Sequence, residues 1–117
     1  MQIAAIVLAL AAVGGLTLAV IRLRGAPWPP LWLALGHGAV AATGVALLIY
    51  AALSPEGIPA LAQVALGIFI LAALGGSLLL LGFHLRSKAL PIPFVLGHGL
   101  LVAVGLVLLL LSAFGIA

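Results

Sequence analysis

The chain alternates long apolar runs with short polar breaks. Apolar runs cover roughly 2–21, 31–53, 59–85 and 92–116, and the breaks between them read "RLRGAPWPP", "SPEGIP" and "RSKALP". A bilayer hydrocarbon core of about 30 Å takes about 20 helical residues at roughly 1.5 Å each. Each run is therefore long enough to cross it once. Pro30 and Pro91 sit just before the second and fourth runs, where a first-turn residue needs no amide donor. Ser54-Pro55 opens a short turn toward the third. The pattern predicts an all-α integral membrane protein, a four-transmembrane-helix bundle forming one membrane domain over 1–117.

Composition sharpens this reading. The chain is 68% hydrophobic and only 4% charged, against about 25% charged in an average soluble domain, so a water-facing surface cannot be built from it. The first ten residues, "MQIAAIVLAL", carry no positive charge, and the run continues to Ile21 before Arg22 and Arg24. That order is expected of a retained membrane helix and not of a cleaved signal peptide. Arg22, Arg24, Arg86 and Lys88 all fall in the first and third connections, and Glu56, the one acid, falls in the second. The positive-inside rule then expects a multi-pass protein of the cell inner (cytoplasmic) membrane, with both basic loops in the cytoplasm and both termini outside. Trp28 and Trp32 fit the interfacial belt on the cytoplasmic side. The basic excess is thus topological, and no nucleic-acid partner is expected. With no Cys, disulfides, thiolate metal sites, thiol nucleophiles and covalently attached c-type haem are excluded.

Sliding the chain along itself by 61 residues reveals an internal repeat, 1–56 on 62–117, with 18 identities in 56 positions and no gap. "AAVGG" (11–15) falls on "AALGG" (72–76), "LGHG" (35–38) on "LGHG" (96–99), Pro30 on Pro91 and Gly44 on Gly105. Each unit is a two-helix hairpin, so both units insert in the same direction. Parallel repeats of this kind are related by a pseudo-two-fold axis along the membrane normal. His37 and His98 then lie at equal depth, about 10 Å from the cytoplasmic boundary by helical rise, and face one another if they point inward.

An ionisable side chain at such depth is costly and usually faces the protein interior or a functional site. Plain explanations exist: duplication copies a histidine whatever its use, and a neutral imidazole can donate to a neighbouring helix carbonyl. The flanking glycines can also serve helix approach alone, since Gly38 with Ala42 and Gly99 with Ala103 have small-xxx-small spacing. The alternative is that His37 and His98 together ligate one cofactor on the pseudo-axis. Haem b is the leading candidate, because its iron takes axial ligands from opposite faces of a flat ring and histidine is a standard axial ligand. Gly36, Gly38, Gly97 and Gly99 would admit a planar ring against the backbone. Ala41 and Gly44, with Val102 and Gly105, continue the same face by helical spacing and would line the slot. Arg22, Arg24 and Arg86 (with Lys88) would meet the propionates through charge-assisted contacts.

Zinc is disfavoured, since structural sites want four ligands and catalytic sites usually three, and no acid or cysteine is placed to complete a set. A chlorophyll on each histidine is a weaker option. His84 has Leu23 as its repeat partner and is too shallow to join the deep pair; it is expected to snorkel at the interface.

Two-fold related histidines on a four-helix membrane bundle, with basic residues at one end, resemble the plan of small membrane b-type cytochromes, including the b561-like group. The resemblance rests on architecture and on His37 and His98 alone. That group commonly holds two haems on four ligands at two depths. With no histidine in the outer leaflet, the resemblance implies a reduced, one-haem version passing electrons between a quinone and another redox partner. Two other function classes compete. One is a cofactor-free small transporter or channel, by analogy with four-span multidrug exporters, although the only acid lies outside the spans. The other is a structural or assembly subunit of a larger membrane complex. Hydrolytic enzymes are disfavoured for want of a nucleophile with a base and an orienting carboxylate. Gly14-Gly15 and Gly75-Gly76 are expected either on outer faces, supporting a homodimer, or inside one bundle.

Overall fold

The computed structural model describes residues 1–115, and every element in it is helical. Helix α1 covers Gln2–Leu23, α2 Leu31–Leu53, α3 Ala60–Leu78 and α4 Ile92–Ala113. Beyond α3 the chain continues as one π turn, Leu79–Phe83, and one 3-10 turn, His84–Arg86. Four helices are thus long and apolar enough to cross a membrane, the third running from Ala60 to Arg86. The expected spans match these to within a few residues. The fourth was expected to reach 116, which lies outside the described residues, as does the end of the second repeat.

Prolines set the starts. Pro30, Pro59 and Pro91 are the residues immediately before α2, α3 and α4, with φ between −55° and −63° and extended ψ. The fixed φ of proline feeds a helix from outside without sacrificing a needed donor. Each of the three connections contains one left-handed residue: Gly25 at φ 112°, Gly57 at φ 65° and Ser87 at φ 55°.

Helices α1 and α2 pack most extensively, then α3 with α4, then α1 with α4, and least α2 with α3. The helices therefore run around the bundle in chain order, with α2 and α4 on one diagonal. In lipid, helix association gains little from the hydrophobic effect and depends on close packing of small residues. The core is built accordingly. Ala4, Ala5, Ala62 and Ala65 are buried with Leu8, Leu48, Phe69 and Leu109 in a cluster toward the Glu56 end. A smaller cluster of Leu79, Leu90 and Val95, flanked by Ala19 and Phe83, closes the basic end. Large apolar side chains such as Ile3, Leu16, Leu74 and Leu100 face outward.

The end of α3 departs from the gap-free repeat for a local reason. Arg22-Leu23-Arg24 closes α1 with Gly25 N–H donating to Arg22 O at 3.1 Å, and His84-Leu85-Arg86 closes the third span with Ser87 N–H donating to His84 O at 3.2 Å. These two turns correspond at an offset of 62 residues, one more than the repeat. A π turn carries one extra residue inside a continuing helix, and Leu79–Phe83 absorbs it. His84 therefore stands where Arg22 stands, not where Leu23 does. The side chains act alike: Arg22 Nε donates to Leu90 O at 2.8 Å, and His84 Nε2 to Pro29 O at 2.7 Å. Leu90 and Pro29 are themselves repeat equivalents, so each hairpin reaches across to the same place on the other. His84 is a tie between hairpins and not a free interfacial side chain.

Close packing of α1 on α2 makes one substitution pair diagnostic. A Cβ on Gly44 would lie 2.6 Å from Leu8 Cγ, whereas a Cβ on Gly36 meets nothing within 4 Å. Gly44→Ala is expected to destabilise by about 1–3 kcal/mol through overpacking, and Gly36→Ala to stabilise by about 0.5–1 kcal/mol by relieving helix-interior glycine entropy. Thermal unfolding in detergent, followed by circular dichroism, measures both.

Candidate functional site: a paired-imidazole layer

Along every helix a layer of glycine, alanine and histidine falls between the two apolar clusters. His37 comes from α2 and His98 from α4, the diagonal pair. Neighbours on a helix diverge by about 100°, so when His37 and His98 turn inward their flanking glycines turn away. Gly36, Gly38, Gly97 and Gly99 are exposed, and a Cβ on any of them would meet nothing within 4 Å.

Inward, each imidazole lies on the double glycine of its own hairpin. A Cβ on Gly15 would sit 2.8 Å from His37 Cε1, and one on Gly76 would sit 3.1 Å from His98 Cε1; Gly14 and Gly75 back the same rings at 3.7 Å. This is the purpose of the repeated "GG": only a residue without a side chain leaves room for a ring against the helix backbone. The glycines therefore pack within one bundle. The sequence carried the signal, because "GG" and "GHG" recur together at one offset.

His37 Nδ1–H donates to Ala11 O at 2.8 Å. A carbonyl can only accept, so Nδ1 carries the hydrogen in this contact. Ala72, the repeat equivalent of Ala11, lies beside the His98 ring. His98 Nδ1 nevertheless is buried with no partner in hydrogen-bonding geometry. The two rings approach edge to face, with centroids 6.5 Å apart and planes at 89°.

That spacing has a chemical reading. Two metal–nitrogen bonds of about 2 Å each, plus the half-widths of two imidazole rings, come to roughly 6–6.5 Å, although here Nδ1, Cε1 and Nε2 of each ring are the atoms nearest its own Gly15 or Gly76. Among the described residues no three His, Cys, Asp or Glu converge, so a metal held by protein ligands alone would have two. A two-ligand histidine set is the kind that suits a metal whose other positions are filled by a macrocycle, as in haem.

The other expected contributors are distributed more widely. Gly44 is packed against Leu8, and Gly105 against Ile68 and Phe69, where a Cβ would come within 3.0 Å of Ile68 Cγ2. Ala41 is partly buried, and Val102 packs on the larger core cluster. Arg22 is committed to backbone carbonyls, Leu90 O and Ala26 O. Arg24 and Arg86 are exposed at the same end. Thr17, Thr43 and Ser77 each return their hydroxyl hydrogen to the carbonyl four residues earlier, so they offer no polar path beside the histidines.

Comparison with known proteins finds no matching family model, no matching curated protein and no matching solved structure.

The imidazole seats can be tested by adding one methyl group. Gly15→Ala, which collides with His37, is expected to lower unfolding stability by about 1–3 kcal/mol, as overpacking does. Gly14→Ala, whose new Cβ meets the ring at ordinary contact distance, should stay within about 1 kcal/mol of wild type on the same scale. Chemical denaturation in mixed micelles reads the difference.

Proposed function

We propose that the protein is a multi-pass protein of the cytoplasmic membrane that carries single electrons on one b-type haem, with His37 and His98 as the axial ligands. The observation supporting this most directly is the meeting of two imidazoles from equivalent repeat positions, 6.5 Å apart inside an apolar bundle. In this reading the hairpins are related by a pseudo-two-fold axis along the membrane normal, the basic loops are cytoplasmic and the termini external.

Bound there, haem supplies reversible one-electron chemistry at its iron. The chain's own residues do the rest. Ala11 O accepts from His37 Nδ1–H, which orients the ring and makes Nε2 the more basic ligand. Gly15 and Gly76 set how far each ring lies from the bundle axis. The apolar clusters lie on either side of the layer. Partners on this reading are a quinone and a second electron carrier, and a homodimer through the outer helix faces is compatible with it.

Packing of Gly44 against Leu8 and of Gly105 against Ile68 and Phe69 favours a second reading, because those positions are closed to a ring. In it the imidazoles are a cofactor-free, proton-exchanging pair in a small transporter.

Oxidised and dithionite-reduced absorption spectra of protein purified from haem-replete cells separate the two. The expected result is a Soret band with a sharpened reduced α band. It should be lost or converted to a high-spin form in His37→Ala and in His98→Ala. A colourless wild-type protein would sink the haem proposal, and liposome proton flux abolished by His37→Ala would then establish the second reading.

A further inference from the structure

The basic end of the bundle holds a set of cations that no acidic side chain among the described residues neutralises. Glu56, the only acidic side chain, lies in the α2–α3 connection, at the opposite end of a molecule 44 Å long. Arg22 is withdrawn into the carbonyls of Leu90 and Ala26, while Arg24, Arg86 and Lys88 are exposed. The loops carrying them are braced: Leu90 N–H donates to Pro27 O at 3.0 Å, Arg22 to Leu90 O, and His84 to Pro29 O. Arg24 and Arg86 each directly precede a left-handed residue, Gly25 or Ser87, in the same closing turn. They therefore leave equivalent points on the two hairpins. Trp28 and Trp32 belong to the same end and are 38% and 74% exposed, which suits rings seated at the level of lipid head groups.

We propose that Arg24, Arg86 and Lys88 form a binding site for the phosphate groups of anionic phospholipids, with Trp28 and Trp32 in the adjoining interface. This rests on the membrane-spanning reading of the four helices and is independent of haem. Guanidinium groups pair with phosphate oxygens through two parallel hydrogen bonds, and a lysine adds a point charge. A fixed platform keeps the ordering cost of such contacts low. Attraction of an anionic surface is worth about 1 kcal/mol per Lys or Arg, or about fivefold in relative affinity.

Trp28 and Trp32 are the only tryptophans in the chain, so intrinsic fluorescence reports on this end alone. The full chain is reconstituted in vesicles containing brominated phosphatidylglycerol or, separately, brominated phosphatidylcholine at equal mole fraction. Preferential quenching by the phosphatidylglycerol is expected, falling about fivefold in relative binding constant for Arg24→Gln and again for Arg86→Gln. Arg24→Lys and Arg86→Lys, which keep the charge, should retain most of the preference and control for misfolding. Equal quenching by both lipids in the wild type overturns the proposal while leaving the membrane reading intact. Loss of the preference on adding inorganic phosphate also overturns it, in favour of a simple anion site. No quenching by either lipid overturns both this proposal and the membrane-spanning reading beneath it.

Discussion

A five-membered ring set with its Cε1 edge against a glycine pair of the neighbouring helix is the contact around which the bundle is arranged. It is possible only where the opposing helix has no side chain, and at Gly15 and Gly76 even one methyl group would intrude on the histidine. The contact fixes how close α1 comes to α2 and α3 to α4, the two tightest pairs in the molecule. It also fixes the direction of each imidazole, which is why rings from diagonal helices meet at the centre. The alanines and leucines above and below the layer fill the spacing that these ring-on-glycine contacts define.

How much of this was legible in the sequence depends on what kind of signal each feature leaves. Four helices follow from run length alone, since lipid demands about 20 apolar residues per crossing and prolines mark three of the four starts. The pairing of His37 with His98 followed from the repeat and from the direction in which hairpins insert. The glycines were harder to read. Those next to the histidines in sequence, Gly36, Gly38, Gly97 and Gly99, face away from the rings, while those a helix away, Gly14-Gly15 and Gly75-Gly76, receive them. Sequence adjacency misled because residues one apart on a helix point in different directions. Gly44 and Gly105 were legible as small and inward but not as filled, since the side chains filling them come from other helices.

The π turn was invisible to a gap-free comparison. An apolar run such as Leu78–Leu81 shows no mark of where an extra residue has been inserted, and the identities on either side conceal it. Hydrogen bonding exposes it: Arg22 and His84 tie to carbonyls that are themselves equivalent, although the two residues differ in type and stand 62 apart. A wider turn lets the helix keep its inner face toward Leu90 and Val95 while advancing its end by one position. Selection of a cation-like donor at both ends of the cross-tie is thus separable from strict duplication of sequence.

The two halves differ in how the imidazole is satisfied. His37 has its Nδ1 satisfied by Ala11, while His98, over the equivalent Ala72, has none in bonding geometry. A buried polar nitrogen left wholly unpaired costs about 1–3 kcal/mol. The same seat thus holds both imidazoles, and the halves differ in the last few tenths of an ångström of approach: His37 reaches the Ala11 carbonyl in hydrogen-bonding geometry, whereas His98 lies beside the equivalent Ala72 without meeting it. A glycine pair that fits a ring to within one methyl group leaves such small differences no slack to disappear into.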